Sequence, residues 1–206
     1  MAMELILGSQ SPRRRELLER MGLRFRVLTA DIDETKFETE DPEASVRRIC
    51  EAKARAVAGR LRKEASADGK LILSSDTIVV LDGRILGKPH DEAEARAMLA
   101  ALSGREHQVF TAFTLLPAGT EDAAPYTHCE KTFVKFRELS EAEIAAYAAT
   151  GEPMDKAGAY GIQGYGAMLV EGIRGDYFTV MGLPVCRLAE ALKRFGLDPL
   201  QQTFRP

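Results

Sequence analysis

The chain has little of what metal-thiolate, redox and membrane chemistry require. Only three histidines and three cysteines occur in 206 residues. His90, His107 and His128 form no pair at ligand spacing, which argues against a zinc site. Cys50, Cys129 and Cys186 are far apart, odd in number and outside any Cys-x-x-Cys pattern, so they read as reduced thiols in a cytoplasmic protein. No apolar run approaches the length of a membrane span. The opening stretch has a short apolar run and Glu4 where a secretory signal would be basic. Net charge is −3 with no basic stripe, which argues against a nucleic-acid polymer as partner. Two nucleotide motifs are also missing. Gly83 to Pro89 has three residues between its glycines and Pro89 where a P-loop needs Ser or Thr for its metal. Gly161-Ile162-Gln163-Gly164-Tyr165-Gly166 has its glycines in the wrong order for a dinucleotide fingerprint. An ordinary P-loop kinase and a dehydrogenase are thereby disfavoured.

What is present is a globular pattern, with 45% hydrophobic and 29% charged residues. Leu5-Ile6-Leu7 reads as a buried strand and Gly8-Ser9-Gln10 as a turn. Ser11 reads as an N-cap and Pro12 as the first residue of a helix carrying Leu17, Leu18 and Met21. Phe25 to Thr29 reads as a strand, and Asp31 to Asp41 as an acidic loop. Ala44 to Leu61 reads as an amphipathic helix with Val46, Ile49, Cys50, Val57 and Leu61 on one face. Leu71-Ile72-Leu73 is a third strand, running into Ser74-Ser75-Asp76-Thr77. Asp82-Gly83, between apolar runs, signals a hairpin. Glu92 to Leu102 reads as a helix, and Val109 to Leu116 and Thr132 to Phe136 as strands. Ser140 with Glu143 forms a capping box for a helix to Ala149. Ala167 to Ile173 reads as a strand and Val185 to Phe195 as a last helix. Eight of the 17 glycines fall between Gly151 and Gly182, where the backbone needs positive φ or close approach to a ligand. Mixed strand–helix order implies an α/β fold with a mixed central sheet flanked by helices.

Ser9-Gln10-Ser11-Pro12-Arg13-Arg14-Arg15 is the most informative local pattern. A helix N-terminus is partially positive and favours acids in its first turn. Three arginines there fit an anion at the helix end, with hydroxyls and N–H groups completing a phosphate site. A solvated basic turn is the bland alternative. Asp76, after a buried strand, stands where α/β sheets gather ligands. It could hold Mg²⁺ or orient a water, or simply cap a turn. Glu34, in the acidic loop, could join Asp76 in an oxygen-rich cation site. Lys53 lies between Ile49 and Val57 on an apolar helix face, either snorkelling to solvent or edging a polyphosphate pocket. Lys88 could reach phosphate from a hairpin end.

Together these motifs resemble the Maf (septum-formation-inhibitor-like) family of nucleoside triphosphate pyrophosphatases. The match covers about residues 4 to 195, within a single domain of residues 1–206. It rests on Ser9 to Arg14, the Glu34 region, Lys53, Ser75-Asp76-Thr77, Leu86 to Pro89, Glu152 to Gly164, Gly175-Asp176-Tyr177 and Gly182-Leu183-Pro184. The resemblance implies an inosine-triphosphate-pyrophosphatase-like fold with two lobes around a cleft, and a homodimer. It implies hydrolysis of a nucleoside triphosphate to the monophosphate and pyrophosphate, with a divalent cation, Mg²⁺ or Mn²⁺. Asp76 would be the general base and, with Glu34, a metal ligand. Ser9, Arg14, Lys53 and Lys88 would line the phosphate site. One branch of the family is selective for dTTP and UTP, another for 7-methyl-GTP. Arg13, Thr77 and Gln163 match the first branch, and the Gln163 amide could answer both acceptor and donor groups of a uracil or thymine edge. Gly8 and Ser75 stand where alanines are frequent. A nucleotide-binding regulator of septum formation without turnover is the competing class, against which the set Asp76, Glu34, Lys53 and Lys88 weighs.

Overall fold

A computed structural model describes residues 3–33 and 41–203. The chain divides into two compact units. One comprises Met1–Asp76, Ala112–Cys129 and Gly182–Pro206, the other Thr77–Thr111 and Glu130–Met181. The strands form a mixed seven-stranded sheet in the order β2-β1-β3-β5-β6-β7, with β4 paired to β3. Among the described residues no helix is long and apolar enough to cross a membrane.

In the first unit, β1 (Glu4–Leu7) lies parallel to both β2 (Phe25–Val27) and the start of β3 (Lys70–Leu81). Helix α1 (Pro12–Arg20) starts as expected, with Ser11 as N-cap and Pro12 at its first position. Helix α2 (Pro42–Lys63) begins two residues before the expected Ala44, because the Asp41 carboxylate accepts the Ala44 N–H at 3.0 Å. Its Ala54, Val57, Ala58 and Leu61 recur at helical spacing and pack on Ile6, Ile72 and Leu116. Helices α6 (Val185–Lys193) and α7 (Pro199–Thr203) also belong to this unit.

The second unit starts inside β3. The expected Asp82-Gly83 hairpin turns β3 into β4 (Arg84–Leu86), with φ of 51° and 77° at the two turn residues. Positive φ at both positions is what a two-residue turn of this twist demands. Helix α3 (Glu92–Leu102), capped by Asp91, and α4 (Glu141–Ala149), opened by the expected Ser140–Glu143 capping box, pack in one core. That core includes Val79, Leu99, Val109, Val134, Phe136 and Ile144. Three short 3-10 turns occupy Glu152–Asp155, Ala157–Ala159 and Gly164–Met168. Strand β7 (Val170–Arg174) then pairs antiparallel with β6 (Tyr126–Phe136), and α5 (Tyr177–Met181) follows.

Several boundaries differ from the sequence-based expectation. The Phe25–Thr29 strand ends at Val27, and β7 starts at Val170 because Gly164–Met168 coils instead. Strands β5 (Glu106–Pro117) and β6 are longer than expected. The first residues of β6 are polar and only half-buried, so they carried no apolar alternation to announce a strand. The largest difference is β3, which runs unbroken through Ser74-Ser75-Asp76-Thr77 for 12 residues.

His107, in β5, is 2% exposed and sits edge-on to Phe136 and Tyr160, with Nε2 2.7 Å from the Tyr160 hydroxyl. Its Nδ1 has no hydrogen-bond partner among the described residues. Burial lowers its pKa to about 4, so the folded protein holds it neutral. The unfolded chain, at about 6.5, takes up a proton first on acidification. The stability this neutral residue contributes is therefore present above pH 6.5 and lost as pH falls toward 4. Between pH 7 and 5 the loss is on the order of 2 kcal/mol. Thermal melting of His107→Gln, whose amide cannot titrate there, should show a flatter pH dependence than wild type. Parallel curves for the two proteins would contradict this.

Candidate active site

In the first unit the turn after β1 delivers Ser9 into the interior, 8% exposed. Its Oγ accepts from the Ser11 N–H at 3.3 Å and from Arg14 Nη1 at 3.0 Å. With both lone pairs so engaged, the hydroxyl can offer a ligand only its proton. Arg14 Nε donates to the Gly182 carbonyl at 2.8 Å, and the Arg14 N–H to the Ser11 side chain at 3.4 Å. The guanidinium is thus held at the helix start by two side-chain bonds. No acid stands in the first turn of α1. Arg13 is half-buried and Arg15 exposed. A cationic group fixed at an already positive helix end is the arrangement that suits an anion. At Gly8 a methyl group would meet Val57 and the Leu73 carbonyl at 3.4 and 3.5 Å, so exchange with the family's frequent alanine is sterically mild.

The same Gly182 carbonyl lies 3.0 Å from Ser75 Oγ, which also reaches the Ala112 carbonyl at 2.8 Å. Ser74 Oγ donates to the Cys50 carbonyl at 2.7 Å. These partners explain how two serines stand inside β3 with no exposed surface. Asp76 therefore lies within a strand, not beyond its end. It and Thr77 are adjacent half-exposed positions in an otherwise buried run.

Lys53 makes a contact that neither reading of the sequence named. Its Nζ donates to Asp76 Oδ1 at 2.7 Å, and the two side chains are 18% and 13% exposed. The apolar face of α2 thus carries its lysine onto β3 as a half-buried ion pair. Asp76 Oδ2 has no partner among the described residues, leaving one hard oxygen to meet a water or a cation. One helical turn before Lys53, Cys50 is fully buried, and burial pushes its thiol up to about 11. Such a thiol is neither nucleophile nor metal ligand. Glu34 lies outside the described residues. Among those described, no group of three or more His, Cys, Asp or Glu gathers as a metal site.

The second unit holds Thr77, Lys88 and Gln163. Thr77 Oγ1 lies 3.0 Å from Thr111 Oγ1. Lys88 is exposed just after β4, where the neighbouring Gly87 carbonyl accepts the Gly158 N–H at 3.0 Å. Gln163 precedes the Gly164–Met168 turn, yet its side chain does not cap it. Glu152 does that work and was not singled out from sequence. Its carboxylate accepts from the Tyr165 and Gly166 N–H groups, both at 3.0 Å, and from the Tyr147 hydroxyl at 2.9 Å. A cap contributed from 13 residues upstream leaves no local sequence signal. The glycines of this block are sterically required. A methyl group on Gly166 would stand 2.0 Å from the Gly161 carbonyl, and Gly164 has φ of 65°.

Residues 4–195 match the Maf-like protein family. The chain is 51% identical over 197 residues to a dTTP/UTP pyrophosphatase of Moorella thermoacetica, covering 95% of this chain and 96% of that protein. A dTTP/UTP pyrophosphatase of Clostridioides difficile is 48% identical over 193 residues, covering 94% and 95%. Among solved structures, a HAM1 protein from Coxiella burnetii is similar at 19% identity and a TM-score of 0.46, covering 65% of this chain and 73% of that one. With the family's match spanning nearly every described element and two such relatives alike from end to end, the chain belongs to the Maf-like protein family.

Proposed function

We propose that this chain is a pyrophosphatase that hydrolyses dTTP and UTP to the monophosphate and pyrophosphate. The observation that carries the reading is the Lys53–Asp76 pair, a carboxylate held by an ammonium at 2.7 Å with its other oxygen open. Hydrolysis needs a group that takes a proton from water while phosphate charge is being redistributed. Asp76 Oδ2 accepts that proton as the water oxygen bonds to the α-phosphorus. The bond from that phosphorus to the bridging oxygen breaks, and pyrophosphate leaves with the electron pair. Arg14 and the Ser9 hydroxyl offer donors to phosphate oxygens, and Lys53 keeps Asp76 aimed. A magnesium ion is commonly held by one or two carboxylates plus substrate phosphates, so a single hard oxygen here fits Mg²⁺ or Mn²⁺. When bound, such a cation, held by Asp76 with Glu34, would neutralise phosphate charge and acidify the water. The family resemblance, rather than a measured distance, assigns Lys88 to the phosphates and Arg13, Thr77 and Gln163 to the base. The homodimer and the cytoplasmic setting belong to the same proposal.

Incubation with UTP and dTTP in the presence of Mg²⁺ or Mn²⁺, with chromatographic separation, should yield the monophosphates and pyrophosphate. UDP and inorganic phosphate as first products would place the cleaved bond elsewhere. Tight binding without any turnover would favour the regulator.

A further inference from the structure

In the second unit, the loop from Gly161 to Gly166 carries Gln163 among three glycines. So much glycine gives a loop many backbone states unless something holds it in one. The Gln163 side chain makes no capping bond to the turn it precedes, so its amide goes where this backbone carries it. Both ends of the loop close on one pair of side chains. The Tyr147 hydroxyl, from the last turn of α4, accepts the Gly161 N–H at 3.2 Å. The same hydroxyl donates to Glu152 Oε1 at 2.9 Å. Glu152 Oε1 also accepts the Gly166 N–H, and Oε2 the Tyr165 N–H, both at 3.0 Å.

The pair is itself well anchored. Tyr147 is 5% exposed, with its ring in the core that holds Leu99 and Phe136. Burial pushes its hydroxyl above the ordinary phenol range, so it keeps the proton it gives to Glu152. Lys156 Nζ donates to the Glu152 carbonyl at 2.7 Å and steadies the backbone behind the carboxylate. The loop lies directly on both side chains. A methyl group on Gly164 would stand 2.5 Å from Glu152 Oε2, and one on Gly166 2.8 Å from the Tyr147 hydroxyl.

We infer that Tyr147 and Glu152 are positioning residues for base recognition, a clamp that closes the Gly161–Gly166 loop and so aims the Gln163 amide at the pyrimidine edge. This rests on the proposed assignment of Gln163 to the base. A loop already held in its binding geometry spends less on ordering when the ligand arrives. A loosened loop weakens the grip on the base and leaves the grip on phosphate alone. The donors proposed for phosphate, Ser9 and Arg14, belong to the first unit and are fixed by the Ser11 N–H and the Gly182 carbonyl, which this clamp does not touch.

The test uses Tyr147→Phe, which keeps the ring in the core and removes both bonds of the hydroxyl. Inhibition by the two products separates base from phosphate. The inhibition constant of UMP should rise about fivefold in Tyr147→Phe, the scale of one or two lost hydrogen bonds, and that of pyrophosphate should stay put. KM for UTP should rise by a similar factor with little change in kcat. A merely structural lesion would weaken both products together. In a Gln163→Ala background, Tyr147→Phe should have no further effect on UMP, because the residue through which it acts is gone. If Tyr147→Phe does not fold, Glu152→Gln carries the same expectation, since its amide brings N–H groups to face the N–H of Tyr165 or Gly166. A wild type that turns over UTP, beside a variant whose UMP inhibition is unchanged or whose effect simply multiplies with that of Gln163→Ala, would overturn this inference alone. A wild type that turns over neither UTP nor dTTP would overturn the proposed function, and this inference with it.

Discussion

Asp76→Asn should fold, melt somewhat below wild type because Lys53 loses its counter-charge, and lose at least about a hundredfold in kcat, the usual contribution of a positioned general base. The amide has the shape of the carboxylate, and its oxygen can still accept from Lys53 Nζ across the 2.7 Å the pair now spans. Ser74 and Ser75, which hold this stretch of β3 through backbone carbonyls, are untouched. What vanishes is the capacity to take a proton from water and the charge that draws a cation. The loss should therefore appear in kcat with a smaller change in KM. Single-turnover rates on UTP, measured beside melting curves, check this. Activity near wild type would remove Asp76 from the chemistry.

Lys53→Met should lose most of its activity and also melt lower. A lysine that only met substrate could be removed without harm to the empty protein, and its loss could even relieve repulsion among Arg13, Arg14 and Lys88. The pair changes that expectation. Methionine leaves Asp76, 13% exposed, without its ammonium. Removing one partner costs about 1–3 kcal/mol here, between the small figure for exposed pairs and the several kcal/mol for fully buried ones. The double variant Lys53→Met with Asp76→Asn should recover part of that loss, because no orphaned charge remains. Thermal melting of the four proteins in the cycle, beside turnover, decides the matter. Additive losses would show that the two residues do not depend on each other, and full activity in Lys53→Met would restore the snorkelling reading.

The parts legible in sequence were those governed by neighbours in the chain. Ser11-Pro12, Asp82-Gly83 and the Ser140–Glu143 box each satisfy their own backbone within a few residues, and each appears where it was expected. The unusual charge pattern at Arg13 and Arg14 and the odd placement of Lys53 were also visible. What Lys53 touches was not, since Asp76 lies 23 residues away and reaches it only through the packing of α2 on β3. The continuity of β3 was hidden for a related reason. Ser74-Ser75-Asp76-Thr77 has the composition of a loop, and its serines become core residues through carbonyls of Cys50, Ala112 and Gly182. Tertiary context overrides local propensity there. Glu152 escaped notice because the N–H groups it caps belong to a turn beyond an intervening helical turn and loop.

The anchoring of Arg14 by Gly182 bears on how the protein is made. The two residues are 168 positions apart, and the first unit is assembled from three separate stretches of chain. A ribosome releases residues 1–76 long before the segment that begins at Gly182. The Lys53–Asp76 pair lies wholly within the early stretch, whereas the carbonyl that orients Arg14 arrives only with the last one. Contacts of such sequence separation must bear loop-closure entropy before they reward it, which slows folding. The growing chain thus acquires its carboxylate and lysine well before it acquires a correctly aimed arginine. The aimed guanidinium thus waits on the segment that begins at Gly182.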